Sequence, residues 1–286
     1  MNDIELLSPA GSFETALAAF AAGADAVYLG LDPFSARADA VNFTDAQLRD
    51  LLALARREGS GRKVYVTFNT LLDDAQLPEA ARKLALLDEL RPDGLIVQDL
   101  GVARLVRRHF PHLELHASTQ LVAHNLEGVL ALRELGFTRV VLARELSIED
   151  IRSITRRCGC EIEVFVHGAL CYSLSGLCLF SALEKNRSGN RGRCAYCCRL
   201  AYTDAAGTRS LPFSMRDLRL DDHLEQLRDA GVASLKIEGR MKSPLYVSTV
   251  TAHYRELLDG LPPATTRADL ETVFSRRTTA LYADGY

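Results

Sequence analysis

Eight short apolar segments, each followed by an amphipathic segment, constrain the fold of this chain more than any other feature of its sequence. The apolar segments are rich in Val, Ile and Leu along most of their length, as parallel strands buried on both faces should be. Eight strand–helix units within 286 residues predict an α/β fold, a TIM-like (β/α)8 barrel. The predicted strands are residues 4–9, 26–30, 63–69, 94–99, 113–119, 139–144, 161–168 and 234–239.

The segments between these strands show the apolar spacing of helices that pack one face against a sheet. Ser12, Thr44 and Ser147 are plausible capping residues at helix starts, and several helices end at glycine. An open doubly wound sheet is the alternative fold, although SPAGSF after the first strand is not a GxGxxG dinucleotide fingerprint. The predicted helices are residues 13–23, 44–59, 77–90, 102–110, 125–136, 147–158 and 243–260.

The regular alternation is interrupted once, between the seventh and eighth strands. Residues 168–215 hold five of the seven cysteines, and their second part, 200–215, predicts a hairpin. We therefore expect a barrel domain, residues 1–260, that includes a cysteine-rich insertion at 168–215. The remaining tail, 261–286, is too short for another domain and is interpreted as the start of a further C-terminal region.

Composition and charge restrict the partners and the cellular location. The net charge of −3 provides no overall basic field, so nucleic acid could bind only at a local basic patch. We find no apolar run long enough to cross a bilayer and no secretory signal, which predicts a cytoplasmic protein without a membrane partner. Thiols in the reducing cytosol rarely rest as structural disulfides, so clustered cysteines indicate metal or redox chemistry.

The cysteines of the insertion have a spacing that limits the kind of site they can form. Four thiolates suit zinc or an iron–sulfur cluster, but the spacing lacks the two close CxxC pairs of a zinc ribbon. Cys171, Cys178 and Cys194 are the natural first three ligands, whereas spacing alone leaves the choice between Cys197 and Cys198 open. The alternative, that all five are inert buried thiols, is disfavoured in a loop-rich segment. The interpretation as inert thiols is favoured only for the two cysteines outside the insertion, Cys158 and Cys160.

Polar residues follow most predicted strands, and in a β/α barrel the carboxyl ends of the strands form the active site. Some of these residues will simply cap the next helix. As a set they predict a polar mouth suited to a small anionic ligand, since arginine can hold carboxylate or phosphate with two parallel hydrogen bonds. The candidate acid–base residues are His116, His167, Glu145 and Glu238. The candidate substrate-binding residues are Asn69, Gln98, Gln120, Arg144, Arg199, Lys236 and Arg240.

Several long motifs resemble the collagenase-like peptidase family. They are ELLSPAG (5–11), LHASTQ (115–120), EVFVHGALC (163–171), SGLC (175–178) and LKIEGRMKSP (235–244). The resemblance covers nearly the whole chain and implies a 4Fe-4S cluster on four cysteines. The family pattern C-x6-C falls on Cys171 and Cys178. The pattern C-x3-C-R falls on Cys194 and Cys198, because Arg199 follows as the family arginine does, which leaves Cys197 outside the ligand set.

The motifs are most similar to family members that hydroxylate C5 of a cytidine in large-subunit ribosomal RNA. Other relatives act on a transfer-RNA uridine or on ubiquinone. The resemblance thus implies an RNA base hydroxylase whose partner is ribosomal RNA or its precursor, with transfer RNA as the alternative. It also implies prephenate, a small carboxylate metabolite, as oxygen source or co-substrate. From their charge, we expect Arg144 and Arg240 to be the partners of its carboxylates. A peptidase is disfavoured because the chain contains neither GxSxG nor HExxH.

The same residues suggest how RNA would be held. Arg187, Arg191, Arg193 and Arg199 lie beside the cysteines in the sequence, and Lys236, Arg240 and Lys242 follow the eighth strand. A basic run is usually only a solvated face, but its position next to the cysteines favours a binding surface. The target base would have to be unstacked to reach the pocket, where Tyr172, Phe180 or Tyr196 could stack on it.

Overall fold

Eight parallel strands close into a barrel in the computed structural model, which describes residues 4–37, 41–57, 59–273 and 276–285. The strands are β1 (Glu5–Pro9), β2 (Ala26–Gly30), β3 (Lys63–Phe68), β4 (Gly94–Val97), β5 (Leu115–Ala117), β6 (Arg139–Val141), β7 (Glu161–Ala169), β8 (Tyr202–Thr203), β9 (Arg209–Ser210), β10 (Asp217–Arg219), β11 (Ser234–Ile237) and β12 (Thr278–Thr279). The barrel consists of β1 to β7 followed by β11, and β11 pairs in parallel with both β1 and β7. This closure confirms the predicted barrel and excludes the open sheet.

The helices surround the barrel and begin where local capping allows. Ser12, Thr44 and Ser147 are N-caps as predicted, and Thr44 and Ser147 each form a reciprocal capping box with the residue three positions later. The helices are α1 (Phe13–Ala21), α2 (Asp45–Ala55), α3 (Leu77–Leu90), α4 (Leu100–His109), α5 (Leu126–Glu134), α6 (Ile148–Cys158), α7 (Phe180–Lys185), α8 (Leu224–Ala230), α9 (Pro244–Leu258) and α10 (Arg267–Val273).

Alternation along the strands divides the apolar residues between two regions. One set faces the helices and joins the main core between sheet and helices, as Leu6, Val27 and Val64 do. The other set fills the barrel interior and includes Leu7 and Tyr65. Because both faces are buried, the strands are apolar throughout, which is why they were recognisable in the sequence.

A buried ion network occupies the barrel interior toward the amino-terminal ends of the strands. Arg139 Nη1 lies 2.5 Å from Glu5 Oε1 and 3.3 Å from Glu163 Oε2, and Lys236 Nζ lies 2.7 Å from Glu163 Oε1. Burial alone would raise the pKa of Glu5, but the charge and hydrogen bond of Arg139 lower it to about 2. Buried charges persist only when they are paired in this way.

The segment between β7 and β11 begins as an extension of β7. The barrel pairs β7 with β11 up to His167, while residues 167–169 pair antiparallel with β10. β8 and β9 form the hairpin predicted for residues 200–215. The tail then adds β12 beside β10, and the Arg276 guanidinium donates two hydrogen bonds to Asp217. The sequence did not predict β10 and β12, because strands of two or three residues show no hydrophobic period.

No helix in the described part of the chain is both long and apolar enough to cross a membrane.

His167 faces outward from β7 toward α9 and is 1% exposed. Its Nδ1 lies 3.3 Å from the hydroxyl of Tyr254, which itself donates to the carbonyl of Val166. Burial disfavours the imidazolium form and lowers the pKa of His167 to about 3, although the Asp221 carboxylate opposes the shift. A neutral imidazole is therefore part of the packing between barrel and helix.

The His167→Phe variant should make stability less sensitive to acid. Below the ordinary pKa near 6.5, unfolded His167 binds a proton that the folded protein does not, so the free energy of unfolding falls as pH drops toward 3. Between pH 6.5 and 5 the native protein should lose about 1.5 kcal/mol more than the variant. Urea unfolding at several pH values measures this difference, and parallel pH curves would contradict it.

Candidate functional site

A cavity of about 490 Å³ opens at the carboxyl ends of the barrel strands, under the cysteine-rich segment. This is the position at which a β/α barrel builds its active site. The cavity brings together residues that are up to 248 positions apart in the sequence, from Tyr28 to Arg276. Predicted site residues that line it are Asn69, Gln120, Arg144, Cys171, Cys178, Cys194, Cys198, Arg199, Lys236, Glu238 and Arg240.

The predicted ligand cysteines all belong to the wall formed by the insertion. Backbone N–H groups point at two of the sulfurs, from Phe180 to Cys178 Sγ at 3.3 Å and from Tyr196 to Cys194 Sγ at 3.5 Å. Burial raises the pKa of the Cys198 thiol, and the neighbouring cysteines at 171, 194 and 178 raise it further. The other three thiols are thus close enough to Cys198 to disfavour its thiolate form.

The donor set fits an iron–sulfur cluster in kind. Such clusters take four thiolates, and hydrogen bonds from backbone N–H groups to the sulfurs tune their potential. Within the described ranges, no group of three His, Cys, Asp or Glu side chains is arranged to hold a single metal ion. Cys197 also lines the cavity but is 1% exposed. The ligand assignment to Cys171, Cys178, Cys194 and Cys198 stays a prediction.

Glu145 fastens the first half of the insertion to the barrel. Its two carboxylate oxygens accept hydrogen bonds from the backbone N–H and the hydroxyl of Ser175, at 2.8 and 2.6 Å. The backbone N–H of Arg144 donates to the same hydroxyl, and the Arg144 guanidinium donates to the carbonyl of Ala169. These bonds hold Ser175 in a left-handed conformation, with φ of 41°, between two of the predicted ligands.

Arg199 fastens the second half. Its guanidinium donates to the carbonyls of Leu170 and Met215, at 2.5 and 2.6 Å, and to the hydroxyl of Ser214. Backbone acceptors therefore occupy much of the donor capacity of this arginine. Arg199 lines the cavity wall. Its role in substrate binding stays a prediction.

Arg240 is the most deeply buried cation facing the cavity that has no carboxylate within 4.0 Å among the described residues. It is 6% exposed and donates from Nη1 to the hydroxyl of Thr67 at 3.2 Å. Burial, followed by the charge of Arg37, lowers its pKa to about 10, so the guanidinium stays charged near neutrality. Gly30 makes room for it, because a Cβ there would lie 2.1 Å from Arg240 Nη1.

The charges around the cavity do not balance. Lys236 is paired with Glu163, and Arg37 lies 3.2 Å from Glu238. Lys236 Nζ also lies 4.5 Å from the centre of the Tyr28 ring. Glu238 is the one carboxylate among the described lining residues. The cationic lining residues are Arg37, Arg144, Arg199, Lys236, Arg240, Lys242 and Arg276. This excess of positive charge favours an anionic ligand.

Four predicted site residues lie behind the cavity wall. His167 packs under α9, and Glu145 binds Ser175. His116 lies inside the barrel, where its Nε2 is 3.3 Å from Glu114 and its ring packs edge-on against Tyr65. Gln98 is buried, and its Oε1 has no hydrogen-bond partner among the described residues. Strand alternation decides these positions, and a one-residue difference in register reverses the face. The catalytic and binding roles of these residues stay predictions.

Two lining residues lie away from the strand ends: Tyr196, which was predicted as a stacking residue, and Arg37, which the sequence analysis missed. Arg37 lies in the loop that follows β2, beyond the polar positions nearest to the strand. Tyr196 reaches across the mouth, where its hydroxyl donates to Met241 Sδ at 2.9 Å. The backbone of Tyr196 has φ of 55°, a left-handed conformation that is costly for an aromatic residue and frequent at functional sites. Its place between two cysteines was the available signal.

The model of peptidase family U32 matches residues 11–286. This chain belongs to peptidase family U32. The match confirms the resemblance to the collagenase-like peptidase family that was inferred from the sequence motifs. The solved structure of a U32 peptidase superimposes with a TM-score of 0.55 at 14% identity, over 84% of this chain and 94% of that one, which shows a common fold.

Two characterised relatives modify RNA. The chain is 43% identical over 282 residues to the 23S rRNA 5-hydroxycytidine C2501 synthase of Escherichia coli (strain K12), covering 96% of this chain and 42% of that protein. It is 38% identical over 267 residues to tRNA hydroxylation protein P1 of Bacillus subtilis (strain 168), covering 89% of this chain and 63% of that protein. The chain therefore spans less than two thirds of the length of either relative.

Replacing Glu145 by Ala should loosen the insertion without unfolding the barrel. The part-buried hydrogen bonds to the carboxylate are together worth about 1.5–3 kcal/mol, so amide exchange at Ser175 should accelerate about 10- to 100-fold. Hydrogen–deuterium exchange read by mass spectrometry measures this change. Glu149→Ala, at an exposed position in the first turn of α6, is the matched control. Equal protection of Ser175 in both variants would show that Glu145 does not hold the insertion.

Proposed function

We propose that this chain is the iron–sulfur barrel of an RNA base hydroxylase that acts on C5 of a cytidine in large-subunit ribosomal RNA. The observation that carries the proposal is a cavity with thiols on one wall and cationic side chains on the other. Similarity to the 23S rRNA 5-hydroxycytidine synthase over 96% of this chain supports the choice of substrate.

Cys171, Cys178, Cys194 and Cys198 are the residues that would hold a 4Fe-4S cluster. When bound, such a cluster supplies one-electron transfer or a Lewis-acidic iron. Cys197 is buried and lies outside this set in the proposal.

The cationic wall would bind the carboxylate co-substrate, for which prephenate is the proposed identity. Arg240 and Arg144 are the proposed partners of its carboxylates, because both guanidinium groups line the cavity without an acidic side chain within 4.0 Å among the described residues. A carboxylate that binds a largely desolvated guanidinium gains more than it would at the surface.

The RNA base would enter past Tyr196. A base paired in a duplex could not reach the strand ends, so the target must be single-stranded or flipped out. Tyr196 is 40% exposed and lines the cavity at its mouth, where an aromatic residue suits the stacking of a base. Phe180 and Tyr172 are the alternatives for this role, and both pack edge-on against Phe213.

Transfer-RNA uridine is the second candidate substrate, favoured by the 38% identity to tRNA hydroxylation protein P1. A ubiquinone-type hydroxylase is not favoured, since a quinone carries no charge that the cationic lining residues could bind. A peptidase is not favoured either, because none of the described residues lining the cavity is a histidine that could activate a cysteine or serine.

Iron content tests the ligand set. Single Ser substitutions of Cys171, Cys178, Cys194 and Cys198 should abolish the cluster absorbance and the EPR signal of anaerobically purified protein. Cys197→Ser is the matched control and should retain both, because that thiol is not a ligand. Loss of iron in the control together with retention in Cys198→Ser would exchange the two assignments. An unchanged iron content in all four variants would contradict the cluster proposal.

The substrate is tested by variants placed in the chromosomal gene. Arg240→Gln should reduce 5-hydroxycytidine in ribosomal RNA at least 10-fold, since it removes the buried charge that holds the co-substrate. Arg216→Gln, at an exposed position beyond the cavity lining, should leave the level unchanged. Mass spectrometry of ribosomal and transfer RNA separates the candidates. If a gene deletion lowers only hydroxyuridine in transfer RNA, transfer RNA is the substrate and the ribosomal RNA proposal is contradicted.

A further inference from the structure

A second cavity, also of about 490 Å³, lies beside the first. The loops that follow β2 and β3 form one side of it, and residues 186–193 of the insertion form the other. Its lining includes Arg187, Arg191 and Arg193. None of the strand-end residues predicted from the sequence reaches it.

The two cavities share a wall, and at four places this wall is formed by a single chain segment. At each place one residue lines the second cavity and its neighbour in the chain lines the first. Hydrogen bonds hold the wall together, from the Ala36 N–H to Asn69 Oδ1 at 3.0 Å and from the Leu71 N–H to the Asn190 carbonyl at 3.1 Å. The four neighbouring pairs are residues 35 and 36, 69 and 70, 188 and 189, and 193 and 194.

The second cavity is positively charged. Against its three arginines stands one carboxylate among the described lining residues, that of Asp32. Arg191 lies 2.7 Å from Asp73, but about half of each side chain is exposed, so this ion pair is weak and open to replacement by a ligand anion. Guanidinium groups suit phosphate in particular, because they donate two parallel hydrogen bonds to it.

The lining favours phosphate over a nucleobase. Phe34 is the one aromatic residue among the described lining residues, and it is 4% exposed and stacked on Phe68. It therefore offers no free face to a base. Thr70 and Ser188 add hydroxyl groups to the lining. Such a surface can hold an anionic backbone without reading its sequence.

We propose that this second cavity binds the phosphodiester backbone of the RNA strand next to the target nucleotide. The inference rests on the proposed function, because it assumes that a base occupies the first cavity. A strand that places one base there must carry its adjoining phosphates across the shared wall. Arg191 and Arg193 are the residues that hold these phosphates, and they position the strand rather than select its sequence.

Binding of a fluorescein-labelled, 12-nucleotide single-stranded RNA tests the inference, with fluorescence anisotropy as the readout. The double variant Arg191→Ala/Arg193→Ala should weaken binding about 10-fold or more at low salt. It should also reduce the slope of log Kd against log salt concentration by about 1–2. The matched control is Arg156→Ala/Arg157→Ala, which removes the same charge from exposed positions at the end of α6. It should change both quantities far less.

Asp73→Asn gives a test with the opposite sign. Asp73 caps the turn at residues 74–76, and asparagine caps as well as aspartate does. The variant therefore keeps the local structure and removes the carboxylate that competes for Arg191. RNA should bind about 2- to 5-fold tighter, the equivalent of a weak exposed ion pair. If Arg191 served only to fasten the insertion to residue 73, affinity would stay the same or fall, which would contradict the inference.

Other outcomes separate this inference from the proposed function. If the native protein does not bind RNA, the proposed function and the inference both fail. If the arginine variant binds and hydroxylates RNA normally, only the inference fails. A third arm titrates pyrophosphate into the native protein and the variant. Loss of pyrophosphate binding with unchanged RNA binding would mean that the cavity holds a free phosphate compound, which also overturns the inference.

Discussion

The pairing of β7 with β11 is the interaction on which the rest of the structure depends. Along residues 163–167 of β7 it closes the barrel, and directly after this stretch the same strand pairs with β10. One strand thus ends the barrel wall and begins the cysteine-rich segment. The insertion can therefore only emerge at the carboxyl ends of the strands. Cys171 follows the last residue of β7 by two positions, so its thiol lies at the cavity for reasons of connectivity alone.

Charge is distributed along the barrel axis in a way that serves the same cavity. Near the amino-terminal ends, Glu5 and Glu163 share Arg139 inside the barrel, and this pairing offsets part of the cost of burying their charges. Lys236 continues this network toward the mouth and shares Glu163. Beyond it, Arg240 has no such acidic partner among the described residues, and its lowered pKa records the cost. Positive charge left over at the mouth is available to an anion, whether a carboxylate metabolite or the phosphates of RNA.

Some of the site could be predicted from the sequence and some could not. Asn69, Arg144 and Arg240 were found because polar residues that end buried strands must meet at one edge of the barrel. The cysteines were found because five thiols in a glycine-rich segment are rare in a reducing compartment. His167 was placed at the mouth for the same reason as Arg240, yet it faces α9, because the register between β7 and β11 shifts beside it. Arg37 was not predicted, because it lies in a loop, where no period indicates the direction of a side chain, whereas Tyr196 was predicted from its place beside the cysteines.

The sequence by itself determined the barrel, the order of its strands and the caps of its helices, because these depend on local patterns of apolar and capping residues. It also determined the family, through motifs that run continuously along the chain. Only the tertiary structure decided which residues share a cavity, that Glu145 holds Ser175, and that a second basic cavity adjoins the first. Those relations join segments far apart in the chain, and distances across folded loops follow from packing rather than from sequence spacing.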